Sequence, residues 1–427
     1  MLRALVVVSA TTMVLEAQVA ATLPHTVLVR MPAPVQSALA AVDPTTGVVS
    51  PLPTFASANL PPLALAQDPF DGALLVALDG GSGGSLVVRL VPNGGAYAEF
   101  VLGSYPAPVV ALAVAGDQLL VGLGGPGGGV FAQPRRGGSG AMLLPQPNLA
   151  ALHVSSPSTV TLAWHGVAGT GSASAGTATV DLATATAVWG PFAFPPTATA
   201  ITGVVDLPTA VPRQLLAFAD GSYALFTGIL SQPPVPVATT PPLPNGGAAA
   251  LRPAGATSIE GVAVGGVAFP FLYTIDAWTG QVVVRSGPLP GDPVDVAYGL
   301  SAQAHVLGFG VGCGPVPLAH GVSGLPQLGS TFAFDVVAPP QTVVFLAAGL
   351  DDFANGTLPG PLPGGCLLHV APDVVLALVT DVLGTAVQPL AVPNLTNLLG
   401  VAVFTQWAHL SGTGFSLSAA FASRVGW

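Results

Sequence analysis

The side chains that most often hold metals are scattered along this chain of 427 residues. Its histidines show no H-x-x-x-H or H-x-H spacing, so a metal site would need ligands from distant segments. Asp351-Asp352-Phe353-Ala354-Asn355-Gly356 has the composition of a Ca²⁺ loop, but Phe stands third and no Glu stands twelfth. A looser Ca²⁺ site and a solvated turn are the two interpretations. We predict no metal ligands. The histidines are His25, His153, His165, His305, His320, His369 and His409.

Two glycine-rich segments resemble catalytic or cofactor motifs. Gly80-Gly81-Ser82-Gly83-Gly84 matches G-x-S-x-G, but a nucleophile elbow needs a helix after it, and here a second strand follows. Gly122-Leu123-Gly124-Gly125-Pro126-Gly127 spells G-x-G-x-x-G without a following helix to face a pyrophosphate. The chain holds 54 glycines, so chance matches are expected. We predict no catalytic residue and no cofactor-binding residue.

The carboxylates and tryptophans favour structural roles. Asp43, Asp276 and Asp181 recur at equivalent strand ends, which indicates side chains that cap tight turns. The chain has only three Glu, which argues against a hydrolase site built from two carboxylates. A pair of Asp residues inside a central channel remains as an alternative. Four of the five tryptophans are predicted to pack in the core or between blades, with at least one exposed stacking residue as the alternative. They are Trp164, Trp189, Trp278 and Trp407.

Charge narrows the range of partners. The chain has nine Arg, no Lys and 19 acidic residues, for a formal net charge of −10. Nucleic acid is not an expected partner, because phosphate binding needs clustered cations and the only adjacent pair is Arg135-Arg136. A neutral ligand, a cationic ligand or a divalent metal ion would all be compatible with this field.

Composition and spacing predict a repeated all-β fold. The 54 Gly and 44 Pro argue against long helices, while 51% hydrophobic residues in short runs argue against disorder. The stretch Tyr273–Tyr298 contains strand, turn at Gly280, strand, Pro/Gly loop and new strand. Similar units recur about every 45 residues, a period typical of propeller blades. Their first strands are placed at Leu63, Val109, Leu149, Ile201, Ala248 and Val294.

The ends of the repeat region predict how the ring closes. Strand Val294–Ala297 has too little sequence after it for a full blade, and strands Thr26–Arg30 and Leu39–Val42 lack an inner partner. Pairing both ends would complete one blade and remove exposed sheet edges. Five full units and one shared blade predict six blades. Seven is the alternative, if the long interval 149–200 holds two.

The repeat region resembles a known family. The sequences AVDPTTGVVSPLPTF, PPLALAQDPFDGALLVAL and YTIDAWTGQVVVRSGPLPGDPVDVAY are similar to the surface-protein type of propeller repeat. Asp43 with Gly47 and Asp276 with Gly280 stand at the matching turn positions. The resemblance covers roughly residues 25 to 305 and implies an extracellular β-propeller scaffold, without any chemistry.

The repeat of about 45 residues ends near Gly312. About seven short strands with turn clusters predict a β-sandwich over 311–427, with a barrel as the alternative. The segment resembles a C-terminal module found on large secreted proteins of planctomycete bacteria, which implies attachment or assembly and assigns no reaction. The matching features are Gly312-Cys313-Gly314, the stretch 324–331, Pro363-Gly364-Gly365-Cys366, Thr380-Asp381-x-x-Gly384, Pro393-Asn394 and Gln406-Trp407.

The start of the chain predicts export. Residues 1–21 combine Arg3 near the start, an apolar core and small residues suited to cleavage, as in a secretory signal peptide; a first buried strand is the alternative. No later segment reaches the roughly 18 apolar residues of a membrane helix. We expect a secreted, periplasmic or cell-surface protein, in which Cys313 and Cys366 form a disulfide.

Together these features predict a β-propeller over 22–310 followed by a β-sandwich over 311–427. The expected function is a non-catalytic binding or adhesion scaffold, with a cell-envelope component or polysaccharide as the ligand. The alternative is a secreted hydrolase or lyase acting on a polysaccharide-type substrate in the central channel, built from one residue per blade. The oligomeric state stays open.

Overall fold

The computed structural model contains strands, turns and loops, with no α-helix in the part of the chain that it describes. No helix there is long and apolar enough to cross a membrane. The proposed signal peptide and most of the acidic loop at 351–356 lie outside the described residues. The structure describes residues 25–426 except 33–34, 44–45, 94–95, 117, 157, 166–173, 183, 194–199, 208–212, 227–233, 240–247, 254–257, 264–269, 298–303, 311, 353–365, 396–397, 399–400 and 413.

The strands are numbered in chain order. The first 24 are β1 (His25–Pro32), β2 (Val35–Val42), β3 (Val49–Pro51), β4 (Pro62–Gln67), β5 (Leu74–Gly81), β6 (Gly84–Asn93), β7 (Ala96–Tyr105), β8 (Val109–Ala115), β9 (Gln118–Leu123), β10 (Gly129–Pro134), β11 (Ala141–Pro145), β12 (Leu149–Ser156), β13 (Thr159–His165), β14 (Ser174–Asp181), β15 (Thr186–Ala193), β16 (Ile201–Leu207), β17 (Arg213–Phe218), β18 (Tyr223–Phe226), β19 (Val235–Val237), β20 (Ala248–Pro253), β21 (Ser258–Ala263), β22 (Leu272–Asp276), β23 (Val282–Val284) and β24 (Asp292–Ala297). The last ten are β25 (His305–Phe309), β26 (Ala319–Ser323), β27 (Thr331–Val337), β28 (Val343–Gly349), β29 (Asp351–Asp352), β30 (Val370–Ala371), β31 (Val374–Val379), β32 (Thr385–Ala391), β33 (Ala402–Ser411) and β34 (Gly414–Arg424).

The described residues of the repeat region form six antiparallel four-stranded sheets. Five are simple meanders of consecutive strands, and the sixth has the order β24-β1-β2-β3. Thr26 lies opposite Ala297, so the predicted pairing of the two ends is confirmed. The innermost strands β4, β8, β12, β16, β20 and β24 each contact the next, and β24 contacts β4, which closes a ring. Within the interval 149–200, the described residues form one sheet, β12–β15.

Apolar side chains pack between neighbouring sheets. Leu75 and Val87 of the β4–β7 sheet share one cluster with Leu119 and Val121 of the β8–β11 sheet, and all four are fully buried. Successive side chains of a strand point to opposite faces of its sheet, so Leu75 packs in this cluster while Leu74 and Val76 pack in another. Each such side chain contributes roughly 1.5–3 kcal/mol through burial, before the cost of ordering the chain.

The predicted turn caps are present. The Asp276 carboxylate accepts hydrogen bonds from the backbone N–H of Trp278 (3.0 Å) and Thr279 (2.7 Å). Gly280 closes the turn at φ +71°, where a Cβ would lie 1.8 Å from the carbonyl oxygen of Ala238, so no other residue fits. Asp43 accepts from the N–H of Thr46 at 3.2 Å in the same way. The recurring Asp therefore stabilises the hairpin.

Two further sheets follow. One has five strands in the order β25-β34-β33-β28-β31, and the other has three in the order β26-β27-β32. Phe332 and Val336 of β27 share an apolar cluster with Leu346 of β28 and Trp407 of β33, so side chains of both sheets form one core. Strand β25 precedes residue 311 yet pairs with β34. The division at 310/311 and the sandwich architecture stay predictions.

The predicted disulfide is confirmed between Cys313 and Cys366. Cys313 also forms an isolated β-bridge with Leu417 of β34, so the disulfide links Cys366 to a residue that pairs with the five-stranded sheet. The bond closes a loop with a sequence separation of 53 residues.

Replacing both cysteines with alanine is expected to lower the free energy of unfolding by about 2–4 kcal/mol, because the cross-link restricts the unfolded chain. Urea unfolding of the double variant measures this loss. Reduction of the native protein should give a similar value, and a midpoint unchanged by both treatments would contradict the prediction.

Candidate functional site

A large cavity lies along the ring axis. Its volume is about 660 Å³, and residues of all six innermost strands line it. Leu, Val, Ala and Ile dominate the lining, while the polar groups are few: Arg30, Gln67, His153, Thr202, Asp292 and Asp295. A cavity of this size suits a small ligand or one end of a chain-like ligand.

Every innermost strand carries a register irregularity next to the cavity. In five of them one residue is bulged out of the pairing, and that residue lines the cavity. Bulges bend strands and redirect side chains, so they turn an additional side chain toward the axis. The five are Leu63, Val110, Ala150, Thr202 and Val294, which form an apolar collar with one hydroxyl.

The charged groups of the cavity are not assembled. Arg30 and Asp292 lie directly opposite each other in the β1–β24 pair, at the end where the innermost strands begin. His153 lies near the opposite end of the cavity, in the second half of strand β12. Burial lowers the pKa of His153, opposed by the charge of Asp206. Over the described ranges, no three His, Cys, Asp or Glu residues are grouped so as to hold a metal ion.

Asp295 is the most perturbed acid of the cavity. Its carboxylate accepts hydrogen bonds from the backbone N–H of Leu65 and of Val296, each at 2.8 Å. Burial raises its pKa from 3.8 to about 7, although these two bonds favour the charged form. Because Leu65 belongs to β4 and Asp295 to β24, the carboxylate fastens the strand that closes the ring to the next sheet.

Asp295→Asn is expected to change how stability depends on pH. The pKa is higher in the folded protein than in the unfolded chain, so between about pH 4 and 7 the folded state binds more protons. This group's contribution therefore weakens as pH rises through that range. The stability of the Asn variant relative to the native protein should improve from pH 4.5 to pH 7.5. Melting temperatures of both proteins measure it, and a difference that stays constant with pH would contradict the role of Asp295.

A second site lies where the repeat region meets the C-terminal sheets. The turn Asp68–Gly72 between β4 and β5 carries Phe70, whose ring is almost fully buried. That ring packs edge-on against Phe309 at 5.3 Å between centroids, in a cluster with Phe404 and Ala420. We call residues 68–72 and their partners the junction.

Charged side chains surround the junction. Asp68 pairs with Arg135 at 2.6 Å, and both are buried, while the guanidinium of Arg135 lies 4.4 Å from the centre of the Phe70 ring. Asp71 pairs with Arg89 and, at 3.1 Å, with Arg136. Burial raises the pKa of Asp68 despite the attraction of Arg135.

The last strand contributes a fourth arginine. Arg424 of β34 donates to the carbonyl oxygens of Pro69 and Phe70, both at 3.1 Å. Burial lowers the pKa of Arg424 to about 10, opposed by Asp71 and Asp68. Four of the nine arginines thus meet one turn. The junction consequently joins the repeat region to the C-terminal sheets, and its carboxylates, Asp68 and Asp71, are paired with arginines.

The candidate residues that the sequence analysis considered lie far apart in the structure and form no common site among the described residues. Ser82 lies in the exposed hairpin turn between β5 and β6 at φ +50°, as the turn interpretation requires. His25 and His320 are packed inside the protein, where burial lowers the pKa of each to about 4. Trp407 is fully buried in the core, whereas Trp278 is 46% exposed with the Arg213 guanidinium 4.3 Å from its ring centre. The core-packing prediction is therefore confirmed for Trp407 and wrong for Trp278.

Sequence reasoning missed the roles of Asp295 and the junction. A signal existed for Asp295, because four of the other innermost strands place Ala64, Ala111, Ala151 and Gly203 at the equivalent position. A signal also existed for Phe70, an aromatic ring inside a turn of Asp, Pro and Gly.

Comparisons with known proteins give structural likeness alone. No family model and no curated protein sequence matches the chain. A protein from Bacteroides uniformis, provisionally described as a 6-phosphogluconolactonase, has a TM-score of 0.43 at 11% identity, covering 86% of this chain and 99% of its own. The WD40 β-propeller domain of Doa1 has a TM-score of 0.39 at 12% identity, covering 54% of this chain and 70% of its own. The ring of four-stranded antiparallel sheets gives this chain a propeller-like all-β fold.

Proposed function

We propose that the protein is an exported, non-catalytic binding scaffold: a six-bladed propeller with a C-terminal β-sandwich fixed to it. The ligand is a cell-envelope component or polysaccharide. Residues 1–21 serve as its secretion signal, and residues 22–310 and 311–427 are its two domains.

The hydrogen bonds that the acidic side chains accept support the non-catalytic part of this proposal. All of the described acidic side chains except Asp292 accept hydrogen bonds from the protein itself, in turns, at ring closure or at the junction. General acid–base catalysis needs carboxyl groups that can reach a substrate. These groups instead stiffen the frame, and a rigid frame reduces the entropy lost on binding.

Trp278 is the side chain that best fits a sugar ligand. It stands on the turn between β22 and β23, where an indole face can pack against the apolar face of a sugar ring. The guanidinium of Arg213 lies over this ring and holds its orientation through a cation–π contact. An oriented, half-exposed indole is suited to binding without bond cleavage.

The test is retention of the purified full chain on cell-envelope and polysaccharide fractions. Trp278→Ala is expected to reduce retention by up to about tenfold, which is the effect of losing a stacking contact worth roughly 0.5–1.5 kcal/mol. The matched control Val283→Ala, an exposed residue on β23, should have little effect. Equal retention of Trp278→Ala and the control would place the ligand elsewhere, and retention of neither the native chain nor the control would contradict the scaffold proposal.

The second candidate is the polysaccharide hydrolase or lyase with its site in the axial cavity. Asp295 favours it, because an acid with a pKa near 7 can exchange protons at neutral pH. Ala150→Trp would fill the cavity at the collar. If the enzyme candidate is right, this variant loses activity on polysaccharide while Ala141→Trp on β11 retains it; if the scaffold is right, neither protein releases product.

A further inference from the structure

Asp295 places a carboxyl group in the wall of the axial cavity. Strand β4 pairs with β5 on one side, and its other edge faces the ring axis. The N–H of Leu65 is donated to Asp295 and not to β5, so the carboxyl group lies at this axial edge, between β24 and β4. Asp295 is partly exposed although protein surrounds it, and the space that it lines is the cavity.

The carboxyl group of Asp295 retains the capacity to bind a ligand. Its Oδ2 accepts one hydrogen bond from Leu65 and its Oδ1 accepts one from Val296, while each carboxylate oxygen has two acceptor positions. Within the described part of the chain, burial and these two bonds act on its pKa, and no cation is among the influences. Arg30, the arginine that lines the cavity, lies at the end where the innermost strands begin, opposite Asp292. A cation brought by a ligand would supply the partner that a buried carboxylate favours.

The cavity wall beside Asp295 suits an alkyl chain. The collar residues Leu63 of β4 and Val294 of β24 are aliphatic and line the cavity. In an antiparallel ladder the N–H and C=O of one residue point to the same side, so the carbonyl oxygen of Leu65 also points toward the axis. The three N–H donors of a primary ammonium group can therefore be shared between the carboxylate and strand-edge carbonyl oxygens, while methylene groups pack on the collar.

From these features we propose that the axial cavity binds a primary aliphatic amine, whose ammonium group pairs with Asp295 and whose alkyl chain lies against the apolar collar. The formal net charge of −10 favours the entry of a cation over that of an anion. The chain contains no Lys, so the ammonium group comes from another molecule, either a free alkylamine or the lysine side chain of a partner protein. This site is distinct from Trp278 and does not depend on the polysaccharide proposal.

Isothermal titration calorimetry of the purified chain at pH 8 tests the proposal. At this pH the carboxyl group of Asp295, with a pKa of about 7, is mostly ionised, and an alkylamine is protonated. Hexylammonium should bind saturably and at least about tenfold more tightly than hexan-1-ol, which carries the same chain without the charge. Hexanoate, the corresponding anion, should not bind. Nα-acetyl-lysine methylamide distinguishes the sources: tighter binding than hexylammonium indicates a lysine of a partner protein, and weaker binding indicates a free amine.

Two matched pairs of variants locate the site. Asp295→Asn should weaken the binding of hexylammonium at least about tenfold, because it removes the charge and keeps an oxygen for the N–H of Leu65. Asp292→Asn makes the same change at the end of the cavity and should alter the affinity by about twofold or less, as a distant charge. Ala150→Trp at the collar should abolish binding, whereas Ala141→Trp on β11 should retain it. Circular dichroism checks that all four variants fold.

Three results would overturn the proposal. They are a native chain that shows no saturable binding of hexylammonium, equal affinities for the amine and the alcohol, and equal losses in the two Asn variants. Any of them would leave Asp295 with its role in ring closure alone. The comparison of amine with alcohol uses the native chain, so it decides the question even where Asp295→Asn fails to fold.

Discussion

Phe70→Ala is expected to lower the free energy of unfolding by about 3–5 kcal/mol, the usual cost of removing a buried aromatic side chain. The ring is 2% exposed, packs against Phe309 and lies beneath the guanidinium of Arg135. Its removal leaves a cavity between sheets that belong to different parts of the chain. Those parts should then unfold separately, so thermal unfolding should show two transitions.

Phe100→Ala is the matched control for Phe70. It removes the same side chain from β7 of the same sheet, where the ring is 54% exposed. Such surface substitutions usually change stability by about 0.5 kcal/mol or less. Calorimetry and urea unfolding of both variants make the comparison. Equal losses in the two variants would show that Phe70 does not join the two parts.

Arg135→Leu should cost a similar amount, about 3–5 kcal/mol, because it leaves Asp68 buried without its cation. The cost should shrink as pH falls, since Asp68 without Arg135 binds a proton more readily in the folded protein. The matched control is the adjacent Arg136→Leu. The Arg136 side chain is one-fifth exposed, so solvent partly screens its ion pair with Asp71. Arg136→Leu should therefore lower the free energy of unfolding less than Arg135→Leu does.

A double variant separates the charge from the packing. In Asp68→Asn combined with Arg135→Leu, neither charge remains, and the amide oxygen of Asn can still accept from the N–H of Phe70. Most of the lost stability should return, as it does when a buried ion pair is replaced as a unit. A double variant as unstable as the sum of both single variants would mean that the two residues act independently.

The ring was predictable because its signal is local and repeated. The apolar starts at Leu63, Val109, Leu149 and Ile201 begin or lie within the observed innermost strands, since each strand buries the same side of its pleat. The pairing of Thr26 with Ala297 was predictable because the repeat region has an incomplete unit at each end, and the two together make one blade. The disulfide between Cys313 and Cys366 was predictable because the chain has two cysteines and they lie in the same part of it.

The outer strands carried a weaker signal. Strand β7 is half exposed along most of its length and lacks alternation, so its residues do not distinguish a strand from a loop. Strands β25 and β26 are short and were not predicted, and pairing between β25 and β34 joins residues more than 100 positions apart.

The junction depended on contacts that sequence does not display. The turn at 68–72 resembles an ordinary Asp-Pro-Gly turn, and its partners Arg135, Phe309 and Arg424 lie 67 to 354 residues away. Propensity and periodicity describe neighbours along the chain, whereas these contacts arise from the way the two parts pack.

Product release from the fraction that retains the protein tests the central claim most directly. The native chain is incubated with each retaining polysaccharide fraction at pH 5, 7 and 9, and reducing ends and unsaturated sugars are measured over time. The scaffold account predicts stable retention with no product above the level of the polysaccharide alone. Product that forms with the native chain and with Ala141→Trp, and stops with Ala150→Trp, would contradict it and establish the axial cavity as a catalytic site.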